Sequence, residues 1–257
     1  MFRRVSIFAY GVACYAVFFA TFLYAVGFVG GFVVPGSLDS APRAGLLPSL
    51  LIDLGLLCVF ALQHSGMARP AFKRWLTRAV APEAERSTYV LASSVALIAL
   101  FAFWQPLGGT VWSVEDSFGR AVLYALFAFG WLLVLVTTFL INHFDLFGLR
   151  QVWLALLGKP YTAVPFRTPG PYRLVRHPLY VGWLFAFWCT PVMTAAHLLF
   201  AAVTTAYILV AIRLEERDLV DALGDDYRQY RERVPMLIPG AKAAGEPRAR
   251  QRILRIL

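Results

Sequence analysis

The sequence predicts an all-α integral membrane protein with about six membrane segments, and both its composition and its patterning indicate that class. Of the 257 residues, 59% are hydrophobic and only 15% are charged, whereas about a quarter of the residues of a soluble domain are charged. The mean hydropathy is +0.64, and the apolar residues lie in long uninterrupted runs rather than in short amphipathic stretches. These observations exclude a soluble globular domain.

Six apolar segments follow one another along the chain, at residues 5–34, 46–63, 88–104, 121–141, 179–195 and 198–212. The first is longer than the ~7–15 residues of a signal-peptide core, so we expect it to remain as a membrane anchor. The last two are short for the ~20 residues that a crossing needs, and only Ala196 and His197 separate them. A tight helical hairpin is therefore expected at residues 179–212.

The distribution of basic residues predicts the orientation in the membrane. With the amino terminus inside, 22 of the 24 Lys and Arg residues fall on the cytoplasmic side, and only Arg43 and Arg120 lie outside. Because basic loops stay in the cytoplasm, we expect both termini in the cytosol and the protein in a bacterial-type inner membrane. Every polar stretch dense enough for chemistry lies on that side. The net charge is +9. We expect the basic residues that cause it to contact lipid headgroups, and we exclude nucleic-acid binding.

The cysteine and histidine patterns predict neither disulfides nor a metal site. Cys14, Cys58 and Cys189 are far apart and lie within apolar runs, and the four histidines show no metal-ligand spacing.

The densest polar stretch is TPGPYRLVRHPLYVG at residues 168–182, directly before the fifth apolar segment. Pro169, Gly170 and Pro171 prevent a helix there, whereas Pro178 suits a first helical turn. Free backbone N–H groups at such a helix start favour an anion. The alternative is that the Arg and Tyr side chains only anchor the chain among headgroups.

A second polar stretch follows the hairpin and carries Glu215 and Glu216. Acidic groups at the cytoplasmic end of a short helix can bind a cationic ligand such as an ammonium or a sulfonium. The alternative is a solvated amphipathic helix stabilised by pairs of charges four residues apart.

Together these stretches resemble the superfamily of isoprenylcysteine carboxyl methyltransferases and phospholipid methyltransferases. The motif RHPxYxG of that superfamily corresponds to Arg176, His177, Pro178, Tyr180 and Gly182; its Glu pair corresponds to Glu215 and Glu216; and its later tyrosines correspond to Tyr227 and Tyr230 before Val234 and Pro235. The resemblance implies that S-adenosylmethionine binds here, at Tyr172, Leu174, Arg176, His177, Pro178, Tyr180, Gly182, Glu215, Glu216 and Tyr227.

Three other strings resemble the methanethiol S-methyltransferases, an NnrU-like branch. They are LQHSGMARPAFKRW at residues 62–75, ERSTYVL at residues 85–91 and NHFDLFGLRQVW at residues 142–153. This resemblance implies methylation of methanethiol to dimethyl sulfide. Two alternatives stay open: methylation of a lipid-like acceptor, either a prenylcysteine carboxylate or a phospholipid amine, and a membrane component of nitrogen-oxide metabolism without enzymatic activity. No obligate protein partner is inferred.

His64 is the candidate general base, because imidazole accepts a proton near neutral pH and only a thiolate attacks efficiently. Arg86 and Tyr89 are expected to orient the thiolate. The alternatives are that His64 ends a helix at the interface and that Arg86 and Tyr89 contact headgroups.

Other polar residues are interpreted as structural. His143 and Asp145 are expected to form a helix-end hydrogen bond, Asp53 is expected to be structural, and His197 is expected at the far membrane interface.

The sequence suggests three parts. Residues 1–142 are expected to select the substrate, residues 143–239 to bind S-adenosylmethionine, and residues 240–257 to form a basic flexible tail.

Overall fold

The computed structural model describes residues 1–240, and nearly all of its regular structure is helical. The predicted tail lies outside the described residues, apart from Gly240. The helices are α1 Phe2–Gly30, α2 Leu46–Ala68, α3 Pro70–Leu76, α4 Glu85–Phe103, α5 Ser117–Ile141, α6 His143–Leu146, α7 Leu149–Leu156, α8 Pro178–Trp188, α9 Ala195–Leu223 and α10 Asp225–Arg233. Two short strands, β1 Thr110–Ser113 and β2 Val192–Thr194, form an antiparallel pair.

The predicted class, an all-α membrane protein, is confirmed. Within residues 1–240, five helices are long and apolar enough to cross a membrane: α1, α2, α4 with the turn that precedes it, α5 and α9. The helix α8 is also apolar but has only 11 residues, which is about 16 Å of helix.

Local sequence explains where these helices begin and end. The helix α1 ends at Gly31, whose φ of 72° is left-handed and favours glycine. Pro70 separates α2 from α3, because the residue before a proline avoids helical geometry. Asp116 caps α5 by accepting a hydrogen bond of 2.6 Å from the Gly119 N–H.

The predicted turn between the last two apolar segments is wrong. Ala196 and His197 lie within the first turn of α9, and the connection is instead residues 189–194, which include β2. Pro191 prevents α8 from continuing, and Thr194 caps α9 by accepting a hydrogen bond from the His197 N–H. The helix α9 also has 29 residues and ends at Leu223, so the predicted end of the hairpin at residue 212 comes too early.

The helix α8 packs closely against α5, with glycines at the contact. A Cβ atom at Gly182 would lie 2.8 Å from the carbonyl oxygen of Gly130, and a Cβ at Gly130 would lie 2.7 Å from the carbonyl oxygen of Gly182. Only glycine permits this approach of two backbones, as is common between membrane helices. Gly182 therefore serves helix packing, which in turn fixes the start of α8.

The long helices run back and forth between two ends of the molecule. One end, here called the sheet end, holds β1, β2 and the segment after α1. Here, at the far end as expected, His197 is fully buried within the protein and lies 2.9 Å from the Asp39 carboxylate. The opposite end, here called the site end, holds α3, α6, α7, α10 and the candidate functional residues. Aromatic and aliphatic side chains such as Phe28, Leu100 and Trp131 form the core between the two ends.

Candidate active site

The three predicted catalytic residues lie at the site end, where the end of α2 meets the beginning of α4. The Tyr89 hydroxyl is 2.9 Å from Nε2 of His64 and 3.1 Å from its Nδ1. The Ser93 hydroxyl, one turn along α4, is 3.2 Å from Nδ1. The His64 ring stacks on Phe60 with a centroid separation of 5.3 Å. The imidazole is therefore held in place by one aromatic ring and two hydroxyl groups.

Arg86 joins this cluster to the segment after α5. Its Nε donates a hydrogen bond of 2.7 Å to the Leu146 carbonyl oxygen, and its guanidinium carbon lies 5.0 Å from the centroid of the Tyr89 ring. A cation at this distance over an aromatic face is attracted to it. Arg86 thus brings positive charge next to the Tyr89–His64 pair.

Tyr207 connects the catalytic cluster to the carboxyl-terminal half. This α9 residue makes a hydrogen bond of 2.9 Å with Ser65, the neighbour of His64, and its ring lies edge-on to Phe60. Tyr207 also lies on α9 two turns before Glu215, which accepts a hydrogen bond from Tyr180. The helix α9 therefore links the two predicted groups of residues.

The polar turn before α8 is folded against the segment that follows α10. The backbone N–H groups of Arg176 and His177 donate to the carbonyl oxygens of Pro235 and Met236, at 2.8 and 3.2 Å. The Tyr230 hydroxyl donates to the Tyr172 carbonyl oxygen at 2.6 Å. These contacts explain why the two motifs occur in one chain, since each satisfies the backbone of the other.

Arg176 and His177 both bind Glu216. Arg176 Nε donates to Glu216 at 2.8 Å, and His177 Nε2 is 2.9 Å from the same carboxylate oxygen. The remaining guanidinium contacts of Arg176 are to the carbonyl oxygens of Arg231 and Val234. With side chains only 6% and 12% exposed, Arg176 and Glu216 form a buried ion pair that organises the turn.

Glu215 is far more accessible than its neighbour. Its side chain is 47% exposed, and it accepts a hydrogen bond of 3.0 Å from the Tyr180 hydroxyl. Successive residues of a helix point about 100° apart, which explains why one glutamate is buried and the next is open. A carboxylate oxygen accepts more than one hydrogen bond, so Glu215 is the more accessible member of the pair for a ligand.

Comparison with known proteins gives the family. The model of the NnrU protein family matches residues 52–220, which is more than half of the chain. This chain belongs to the NnrU family. One relative is a methanethiol S-methyltransferase of Crocosphaera subtropica, 58% identical over 92% of this chain and 92% of that protein. Another, of Mycobacterium tuberculosis and with the same name, is 54% identical over 92% of this chain and 97% of its own.

The family likeness extends beyond bacteria. Nurim of Bos taurus is 30% identical over 72% of this chain and 73% of its own. No solved structure gives a match to this NnrU family member.

The structure brings most of the cofactor residues predicted for this NnrU protein into one cluster. Tyr172, Tyr180, His177 and the two glutamates lie together, and Tyr227 is 2% exposed beside them. Leu174 is 62% exposed and does not join the cluster. Pro178 begins α8 and is fully buried, so its contribution is to the helix start.

The tyrosines of this cluster stay protonated around neutral pH. Burial raises the pKa of Tyr230 to about 12. Burial, with Glu216 as the largest further upward influence, also raises the pKa of Tyr227, and burial together with Glu215 raises that of Tyr172. Their hydroxyl groups are therefore hydrogen-bond donors under ordinary conditions.

Three other residues make contacts within the protein, although His143 and Asp145 bond other side chains and not each other. His143 bridges Thr138 and Tyr15 at 2.8 and 2.7 Å. Asp145 pairs with Arg150 at 2.9 Å. The buried Asp53 accepts a hydrogen bond from the Gln105 N–H, at the sheet end. Among residues 1–240, no three His, Cys, Asp or Glu side chains are grouped as metal ligands would be.

Sequence reasoning missed Tyr207 and Ser93. Both lie inside apolar segments, where a single hydroxyl is easily attributed to ordinary helix composition. The available signal was spacing, since Ser93 is one turn after Tyr89 and Tyr207 is two turns before Glu215 on α9.

Proposed function

We propose that this chain is a membrane methyltransferase that transfers the methyl group of S-adenosylmethionine to methanethiol and releases dimethyl sulfide. The names of the relatives that cover nine-tenths of the chain support this reaction. The observation that carries the residue assignment is the position of Tyr207 on α9. Its hydroxyl bonds to Ser65, the neighbour of His64, and it lies two turns before Glu215, which accepts a hydrogen bond from Tyr180.

The donor set at the turn suits a cationic methyl donor. Glu215 is half-exposed and has acceptor capacity beyond its bond from Tyr180. When bound, S-adenosylmethionine supplies an electrophilic methyl group on a positive sulfur. Glu215 would bind a positive part of this molecule, while Arg176, His177 and Glu216 hold the turn in position.

His64 would accept the thiol proton. An unactivated alkyl thiol titrates at or above the ~8.5 of free cysteine, so only a minor fraction is thiolate at neutral pH. In the proposed reaction, Nε2 of His64 takes the proton while the Tyr89 hydroxyl and the Arg86 charge orient the sulfur. The surrounding apolar helices would exclude water, which strengthens these electrostatic contacts.

We further propose that the site end faces the cytosol and that residues 1–142 select the acceptor while residues 143–239 bind the donor. The asymmetry of basic residues supports this orientation. Single cysteines at positions 80 and 165 should react with a membrane-impermeant maleimide only after the cell is opened. Labelling of either position in intact spheroplasts would contradict the orientation.

A methyl-transfer assay tests the function directly. The purified protein with radiolabelled S-adenosylmethionine is given methanethiol, longer thiols, prenylcysteine and phospholipid amines. We expect label in dimethyl sulfide, with less or none in the lipid acceptors. Label that appears mainly in a lipid would contradict the thiol assignment, and absence of donor binding would favour a role without enzymatic activity.

A further inference from the structure

A cavity of about 980 Å³ lies at the site end, beside the catalytic cluster. It is formed by the first turns of α1, the connection from α3 to α4, and the segment from α6 to beyond α7. Five basic side chains line it: Arg3, Arg4, Lys73, Arg86 and Lys159. Arg86 is the only residue that it shares with the proposed site.

The basic side chains of this cavity are not neutralised by partners within the described chain. None of the five forms an ion pair with a carboxylate of residues 1–240. The cavity also contains Glu83, Glu85 and Asp145, but Asp145 is paired with Arg150. Positive charge therefore exceeds negative charge, and the cavity favours an anion.

Two acceptor atoms in the lining indicate what else the anion carries. Glu83 Oε2 and Gln151 Oε1 are buried and have no hydrogen-bond partner in residues 1–240. A buried acceptor without a donor costs about 1–3 kcal/mol. A ligand that carries an anionic group as well as hydroxyl groups would match the positive charge of the cavity and donate hydrogen bonds to these two acceptors.

The position of the cavity indicates an amphiphile. Its lining includes Ile7 near the start of α1 and Ile141 at the end of α5, both on helices long and apolar enough to cross a membrane. Ile141 is 45% exposed. The cavity therefore lies where the apolar helices meet the polar segments of the site end, which is where we expect lipid headgroups.

We propose that this cavity binds the phosphodiester headgroup of an anionic phospholipid with headgroup hydroxyls, the chemistry of phosphatidylglycerol. Its phosphate would contact the Arg and Lys side chains, and its glycerol hydroxyls would donate to Glu83 and Gln151, whose side chains would rotate to bring their enclosed acceptor atoms to the cavity. This inference goes beyond methyl transfer and does not depend on it. A bound headgroup would hold the start of α1 against α3 and the α7 segment.

Binding of short-chain phosphatidylglycerol to the purified full chain in neutral detergent tests the proposal, with calorimetry as the measurement. Lys73→Gln and Lys159→Gln should each weaken binding about tenfold, as for loss of a charged hydrogen bond. Arg74→Gln is the matched control, because Arg74 is the neighbour of Lys73 but does not line the cavity. An equal loss in this control would overturn the proposal.

Three probes identify the chemistry of the ligand. Phosphatidylcholine, which has no net charge, should bind at least about tenfold more weakly. Phosphatidylmethanol, which has the charge but no hydroxyl, should bind several-fold more weakly, and equal affinity would overturn the hydroxyl contacts. Inorganic phosphate should compete poorly; if it binds as tightly as the lipid, the cavity takes a soluble anion and the lipid assignment is wrong.

A separate measurement distinguishes this cavity from the methyl-donor site. Lys73→Gln and Lys159→Gln should leave S-adenosylmethionine affinity unchanged. If these variants weaken the binding of S-adenosylmethionine rather than the binding of the lipid, the cavity belongs to the methyl-donor site and the lipid proposal is overturned.

Discussion

The two ends of the helix bundle use similar residues in opposite ways. At the sheet end, His197 Nδ1 faces Asp39 and Nε2 faces the Phe187 carbonyl oxygen, each at 2.9 Å, and Thr194 donates to the other oxygen of Asp39 at 2.6 Å. At the site end, His64 contacts two hydroxyls, while Glu215 is half-exposed.

We expect the polar contacts at the sheet end to contribute to stability and those at the site end to contribute to function. At the sheet end, His197, Asp39 and Thr194 bond one another, which joins the segment after α1 to α9 and leaves the His197 imidazole little capacity for another partner. At the site end, we propose that the histidine beside hydroxyl groups exchanges a proton and that the open carboxylate binds a cation. Four sets of substitutions test this comparison.

The largest expected effect is on catalysis at His64. His64→Ala should reduce turnover about 100-fold or more, as is usual when a positioned general base is removed. Affinity for S-adenosylmethionine should be nearly unchanged, because the residues proposed to bind it lie directly before and on α8 and on α9 and α10. Raising the pH from about 6 to 10 should partly rescue the variant, since solvent then supplies more thiolate.

The measurement is the rate of dimethyl sulfide formation by the wild type and by His64→Ala across that pH range. Tyr230, whose pKa burial raises to about 12, keeps its proton over this range and does not obscure the profile. A variant with near-normal turnover, or with no steeper pH dependence than the wild type, would remove His64 from the mechanism and leave Tyr89 or water as the proton acceptor.

At the sheet end, the same substitution should affect stability instead. His197→Ala removes the imidazole partner of one Asp39 oxygen and of the Phe187 carbonyl, although Thr194 still donates to the other Asp39 oxygen, and this should cost about 2–3 kcal/mol. The melting temperature in detergent should fall, whereas turnover per folded molecule should stay within about twofold of wild type. A fall in turnover at unchanged melting temperature would contradict the division between the two ends.

The two adjacent glutamates offer a comparison within the site end. Glu215→Gln should weaken S-adenosylmethionine binding by about 1–3 kcal/mol with little change in stability. Glu216→Gln should weaken binding by a similar amount but also lower the melting temperature, because it leaves the buried Arg176 without its anion. Calorimetry and thermal unfolding on the same preparations measure both quantities. Wild-type affinity in both variants would refute the donor site.

The sequence predicts the class of this fold better than the geometry of its last helices. Long apolar runs predict membrane helices because the bilayer requires them, and α1, α2, α4 and α5 follow those runs closely. The break near Ala196 is predicted wrongly because hydropathy is lower at His197, yet the end of α8 depends on Pro191 and on pairing of β2 with β1. Strand pairing over about 80 residues of sequence is not visible in a local pattern.

For the site, sequence motifs predict which residues cluster but not how each is used. Arg176, His177 and Glu216 are found together, as the motif implies, but the sequence cannot reveal that Arg176 is occupied by carbonyl oxygens of the α10 segment. The contrast between Glu215 and Glu216 likewise depends on the rotation of α9. Spacing on α9 places Tyr207 near Glu215, but its bond to Ser65 could not be predicted, since the two residues are 142 positions apart in the chain.

Substitution of Tyr207 therefore has the smallest expected effect on turnover. It also tests most directly how the His64 cluster is joined to α9. Tyr207→Phe keeps the ring against Phe60 but removes the hydroxyl that bonds to Ser65. Loss of one neutral hydrogen bond is worth about 0.5–1.5 kcal/mol, so turnover should fall no more than about tenfold with melting temperature nearly unchanged. Ser65→Ala should give the same loss, and the double variant should be no worse than either single variant, because both remove one interaction. Losses that instead multiply in the double variant would mean that the two hydroxyls act separately, and the connection between the His64 cluster and α9 would then have to depend on packing alone.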